Sequence, residues 1–225
     1  MKRLADSGWD VYELVCTTAK NAISDTGEGK EIRENRINET KHFCKILGVN
    51  EPIILDPDKR LFGEDEGIIM QVVKAIREIR PDVVALMNRD DYHFEHTVSH
   101  DIGKRAFEIA YRKTQPELGE PIKTGILVQT DGLNVLPNPL ITFNTTDSHE
   151  AKISATEVAY ENRVDEYLRN FVNGLALLRG SRVGYKYAEC YDLLNPTWYK
   201  FKPENSSILH EFVCAGNGGS RRIAP

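Results

Sequence analysis

Apolar and polar positions alternate along this chain in two rhythms. MKRLADSG reads as the last turns of a helix closed by Gly8. The next run, WDVYELVCTTA (9–19), is apolar and β-branched, as a buried strand is. A polar loop (NAISDTGEGKE) leads into ENRINETKHFCKILG, where Ile37, Phe43, Cys44 and Leu47 share a helical face and Gly48 ends it. The cycle then repeats, with PIILD a short strand, DPDKRLFGEDE a loop and EGIIMQVVKAIREIR an amphipathic helix stopped by Pro81. DVVALMN comes next as a strand, and RDDYHFEHTVSHDIGKRAFEIAYRK passes from a loop into a helix. GILVQTDG and LITFNTT read as strands, residues from about Ser148 to Leu178 as one long helix, and YKYAECYDLL as the last strand.

Strands alternating with helices of this length imply βαβ units. The expected fold is α/β, Rossmann-like, with a mostly parallel sheet and helices on both faces. It occupies one domain over residues 1–201. Residues 202–225 are Gly/Ser/Asn-rich without clear periodicity and are expected to form a flexible tail. Because the chain opens on the end of a helix that feeds a strand, the first strand of the sheet is expected to be missing; a natural N-terminal helix is the alternative. In such sheets ligands bind at the carboxyl ends of strands, so a missing strand removes part of a site.

Composition narrows the function. The 225 residues are 40% hydrophobic and 28% charged, ordinary for a soluble globular protein. The net charge of −5 leaves no basic footprint for nucleic acid. No run approaches the roughly 20 apolar residues of a membrane span, and no signal-peptide core opens the chain. Cys16, Cys44, Cys190 and Cys214 show no C-x-x-C spacing and are read as reduced, which fits a cytoplasmic protein.

The stretch RDDYHFEHTVSH (89–100) carries the chemistry. It comes after the strand ending near Asn88, where α/β enzymes place their sites. With a helix starting near Phe94, His96 and His100 share a face and His93 stands at or before the first turn. Imidazoles are preferred zinc ligands. The competing reading makes Asp90 and Asp91 helix caps and leaves the histidines solvated. Weaker candidates are Asp56 and Asp58 after a strand, Asp131 and Asn134 after GILVQTDG, and Trp9 and Trp198.

RPDVVALMNRDDYHFEH (80–96) resembles the second signature of the PIG-L/LmbE-like family of zinc-dependent deacetylases, in which P-D-V-V leads to H-x-D-H at a helix start. RENRINETKHFCKILGV, ILDPDKRL and GYKYAECYDLL resemble further family segments in the same order, so the likeness spans roughly residues 1–195. The resemblance makes His96 a zinc ligand and His93 the group that stabilises the charged tetrahedral intermediate. Glu95 stands where the family has Asp, and Arg36 matches an arginine near the sugar; its competing role is a surface partner for Glu39. His100 has no counterpart and is read as structural or exposed.

Two departures stand out. The family's A-H-P-D-D-E signature, which supplies two zinc ligands and the general base, occurs nowhere in the sequence. Its H-x-S-Q-like motif is only loosely echoed by Tyr160, Glu161 and Asn162. The resemblance therefore implies a Zn2+-dependent hydrolase that removes an acetyl group from an N-acetylglucosamine-type conjugate, here N-terminally incomplete and inactive as it stands. The alternative is a catalytically silent sugar- or nucleotide-binding α/β module. The expected partner is an acetylated amino-sugar, with no nucleic acid and no membrane span, and homo-oligomerisation left open.

Overall fold

A computed structural model describes residues 1–17, 29–55, 65–159, 166–194 and 203–218. The elements run in the order α1 (Lys2–Asp6), β1 (Leu14–Val15), α2 (Gly29–Leu47), β2 (Ile53–Ile54), α3 (Glu66–Ile79), β3 (Val83–Leu86) and α4 (Phe94–Ala110). Then come β4 (Ile126–Thr130), β5 (Ile141–Asn144), α5 (His149–Ala159), α6 (Glu166–Ser181), β6 (Ala188–Leu194) and α7 (Pro203–Gly216). The α/β class with mostly parallel strands holds. β1 pairs β2 in parallel, and β3 pairs β4 in parallel within a four-stranded sheet of order β3-β4-β6-β5. β4 and β6 run antiparallel, with Leu127 opposite Leu194 and Thr130 opposite Tyr191.

Two compact units divide the chain: residues 1–60, 143–189 and 214–225, and residues 61–142 and 190–213. In the first, α2 packs on α5 and Phe143 is buried. In the second, α3 packs on α4. The α3 stripe Ile68, Ile69, Val72, Val73 and Ile76 is buried at the spacing its sequence predicts. Asp65 caps this helix by accepting the Ile68 N–H at 3.1 Å. Arg80 closes it in the left-handed conformation (φ 54°) just before Pro81, since the residue before proline is disfavoured in the right-handed helical region.

β4 contributes Ile126, Leu127 and Val128 to the second core, each at most 2% exposed. Helix α4 lies so close to β3 that a Cβ on Gly103 would press into the Leu86 side chain. That contact fixes where α4 begins, and hence where the histidine stretch stands.

One expectation gives way. Residues 203–216 form helix α7 rather than a flexible tail: Asn205, Phe212 and Ala215 are at most 1% exposed. The Asn205 side chain donates to the Gly125 carbonyl at 2.7 Å, and Phe212 meets Tyr191 edge-on at 5.7 Å. The apolar positions Ile208, Phe212 and Ala215 do recur at helical spacing; the glycines around 216–219 masked them. The single long helix is described as α5 and α6, on either side of residues 160–165.

Candidate functional site

The site lies in the second unit, at the carboxyl end of β3. Beyond Leu86 the chain forms a loop braced by its own side chains. Asn88 is 3% exposed, accepts the Asp90 N–H at 3.1 Å and donates to the Asn134 carbonyl at 2.8 Å. Asn134 returns a bond of 2.5 Å from its amide to the Asp90 carbonyl. The 88–93 loop and the loop after β4 are thereby laced together, and helix α4 starts from the first of them.

Asp91 organises the entry to α4. Its side chain is fully buried. One oxygen accepts the His93 N–H at 2.9 Å, and the other accepts the Leu133 N–H at 2.7 Å and lies 3.3 Å from His96 Nδ1. Burial alone would push this carboxyl up, but the backbone bonds from His93 and Leu133 and the neighbouring His96 imidazole outweigh it and hold the pKa below its ordinary value. Asp91 is therefore an ionised anchor. It is not the cap of α4; that position belongs to His93, whose side chain makes no capping bond.

His93 and His96 stand side by side, with ring centroids 4.7 Å apart. His93 also stacks on Phe94 at 5.6 Å. The Nδ1 atoms of both histidines and one oxygen of Glu95 are buried without a hydrogen-bond partner; His96 Nδ1, though near Asp91, is not aligned as a donor to it. Buried polar atoms left unpaired cost stability and mark places where a ligand completes the set. His100 is different: it is 1% exposed, its Nδ1 lies 2.7 Å from the Met87 carbonyl, and burial lowers its pKa. It is a packing group.

Arg36 belongs to the first unit. There it pairs with Glu39 at 3.0 Å, one turn along α2. Asp131 accepts the Leu136 N–H at 2.7 Å, a turn-forming role, whereas Asn134 lines a cavity beside the histidine loop. Asp56, Asp58, Tyr160, Glu161, Asn162 and Trp198 lie outside the described residues. Asp91 is the residue of this loop that sequence reasoning undervalued. A carboxylate just ahead of a helix reads as a cap, and its hydrogen bond to Leu133, far along the chain, leaves no trace in local pattern.

Do these residues fit a zinc ion? Among the described residues no three His, Cys, Asp or Glu side chains come together to hold a metal. A catalytic zinc needs three protein ligands. The described residues therefore do not make a zinc site by themselves, although two adjacent imidazoles with unpaired nitrogens are chemistry of the right kind.

Comparison with known proteins places the chain among relatives of known structure or activity. The diacetylchitobiose deacetylase of Thermococcus kodakarensis is 27% identical over 206 residues, covering 84% of this chain and 74% of that protein. The conserved protein TT1542 from Thermus thermophilus superposes with a TM-score of 0.73 at 20% identity, over 88% of this chain and 89% of that one. GalB, the 4-carboxy-2-hydroxymuconate hydratase of Pseudomonas putida KT2440, reaches 0.73 at 15% identity, over 88% and 91%. The N,N'-diacetylchitobiose deacetylase of Pyrococcus horikoshii, complexed with its inhibitor MPG, reaches 0.72 at 21% identity, over 90% and 79%. The fold is thus the α/β fold that these solved structures share. Residues 1–107 match the PIG-L family model, described as GlcNAc-PI de-N-acetylase. Neither likeness names the reaction, since a hydratase shares the fold.

Proposed function

We propose that the protein is a Zn2+-dependent hydrolase by kind, built to remove the acetyl group from an N-acetylglucosamine-type amino-sugar, and that its described residues hold only part of the catalytic set. The observation that carries this reading is the pair His93 and His96, side by side at the start of α4 with buried, unpaired nitrogens. The deacetylase relatives supply the substrate class.

In this reading His96 is one metal ligand, and Asp91 and Glu95 set its orientation from behind. His93 donates to the carbonyl oxygen as negative charge develops there, the kind of preorganised stabilisation that dominates acyl transfer. The remaining metal ligands and the carboxylate base come from outside the described residues. The protein alone therefore binds acetylated amino-sugars and turns them over at background rate. A silent binding module is the second reading, favoured by the lack of three assembled ligands among the described residues.

One experiment separates the two. Amine release from N,N'-diacetylchitobiose is followed with added zinc, for the chain itself and for a version extended at its N-terminus by a strand ending His-Pro-Asp-Asp-Glu. The hydrolase reading expects binding without turnover from the first and zinc-dependent turnover from the second, abolished by His96→Ala. An extended protein that folds and binds sugar and zinc yet releases no amine leaves the silent module. Fast turnover by the chain itself, with stoichiometric zinc, overturns the proposed incompleteness.

A further inference from the structure

We propose that the cavity beside the histidine loop is a second-sugar subsite that selects a cationic amino-sugar, so that the preferred ligand is an N-acetylglucosamine joined to a sugar bearing a free amine. This rests on the proposed deacetylase function, because it assigns the neighbour of the acetylated unit.

The cavity has a volume of about 470 Å3, within the roughly 300–1,000 Å3 of small-molecule sites. Asn88, Asp90, Gln129, Asn134 and Asp192 line it, with Leu136 among its apolar groups. It opens from the same two laced loops that hold His93 and His96, because Asp90 and Asn134 bond to each other across it. The amides in its wall are oriented by bonds already made. Gln129 accepts the Arg89 N–H at 3.3 Å, which leaves its NH2 to donate. Asn134 spends its NH2 on Asp90, which leaves its oxygen to accept. One donor and one acceptor on a partly apolar wall suit a hydroxylated ring.

The apolar surface of this unit points to the same place. Among its described residues, the large apolar side chains that stand exposed are Tyr92, Phe94, Val135 and Leu140. All four are on, or at the edge of, the two loops, and Val135 lines the cavity itself. Sugar rings present C–H faces that lie on such aromatic groups.

Charge then sets the class of ligand. Asp90 and Asp192 are the ionisable groups of the lining; no Lys, Arg or His is among them. Neither carboxylate forms an ion pair with a described residue. Asp192 accepts the Leu140 N–H, at 3.3 Å. Arg89 sits between two lining residues in sequence but is not in the wall, and its charge is felt at His100 instead. Two carboxylates in a wall without a cation repel a phosphate-bearing neighbour and attract an ammonium group. A sugar amine left free by an earlier deacetylation is the cation that fits.

The test is titration calorimetry on the full chain at about pH 6, where an amine is protonated and carboxylates are ionised. Three probes are compared: the disaccharide of N-acetylglucosamine and glucosamine, N,N'-diacetylchitobiose, and N-acetylglucosamine 1-phosphate. The cationic disaccharide should bind about fivefold more tightly than the neutral one, a lead that shrinks with added salt, and the phosphate should bind weakest. D90N and D192N should each cut that lead, and the double variant should abolish it. D192N keeps a side-chain oxygen that can accept from Leu140, and thermal melting checks that folding survives. Equal affinities, phosphate binding best, or a lead that survives the double variant overturns the subsite alone. Failure of every acetylated sugar to bind overturns the function reading, and the subsite with it.

Discussion

Asp91 and Gly132 form a lock at the level of single atoms. A Cβ on Gly132 would overlap Asp91 Oδ2, the oxygen that holds the Leu133 N–H and faces His96. Gly132→Ala therefore expels the carboxylate and strands two backbone donors. Each unsatisfied buried donor costs about 1–3 kcal/mol. Urea unfolding of G132A should show a loss of that order, with the His93 and His96 resonances shifted; a variant as stable as the parent, with unmoved resonances, contradicts the lock. His100 sets the acid behaviour. Its folded pKa lies below the ordinary 6.5 because of burial, against the pull of Met87 and Asp101 and with help from Lys104 and Arg89. The unfolded chain thus takes up the proton first. Stability from this group is complete above about pH 6.5 and falls as the pH drops from there towards the folded pKa. His100→Asn should flatten the stability slope below pH 6.5, and an unchanged slope would assign the acid loss to other groups.

Among the elements, α3 and α4 are tied by a residue whose sequence setting says nothing about it. Arg77 sits in the last turn of α3 among Lys74, Glu78 and Arg80, where a charge reads as solvated. It is 3% exposed, and its guanidinium donates to the carbonyls of Ile109, Ala110, Arg112, Thr114, Gln115 and Gly119 at 2.7–3.4 Å. It caps the open end of α4 and the turn after it, satisfying acceptors that the helix leaves free. An ammonium lacks the planar fork that reaches both sides. Arg77→Lys should cost about 2–3 kcal/mol, seen as a lower urea midpoint with an unchanged slope; a loss within experimental error would make the cap dispensable. Local pattern did show the apolar stripe of α3, the α4 start at Phe94 and Gly8 ending α1, because each depends on near neighbours. It hid what depends on distant ones: Arg77, the Asp91–Leu133 bond and the docking of α7, whose Asn205 finds its acceptor eighty residues away. The pairing of His93 with His96 came from the family resemblance, since local spacing alone set His96 beside His100. The cavity was not legible, because Asp192 reaches it from another strand.

At the scale of the molecule the question is whether two compact units unfold as one. Each has its own buried side chains, which argues for separate transitions. The points where the chain passes between them argue the opposite. Besides 60/61, they fall at 142/143 inside β5, at 189/190 inside β6 and at 213/214 inside α7. Independent domains meet in exposed, flexible linkers. Here three of the four passages run through hydrogen-bonded elements. Half of a strand or helix does not survive the loss of the other half, because helix formation is cooperative and strands are held by their neighbours. The expected outcome is a single transition in which near-ultraviolet and far-ultraviolet signals coincide. A lesion in either unit should then lower the same midpoint. Gly180→Ala, whose Cβ would press on the Tyr185 and Lys186 carbonyls, tests the first unit, and Gly103→Ala, pressing on Leu86, tests the second. Two separated transitions, each moved by only one of these substitutions, would show that the histidine site stands or falls with residues 61–142 and 190–213 alone.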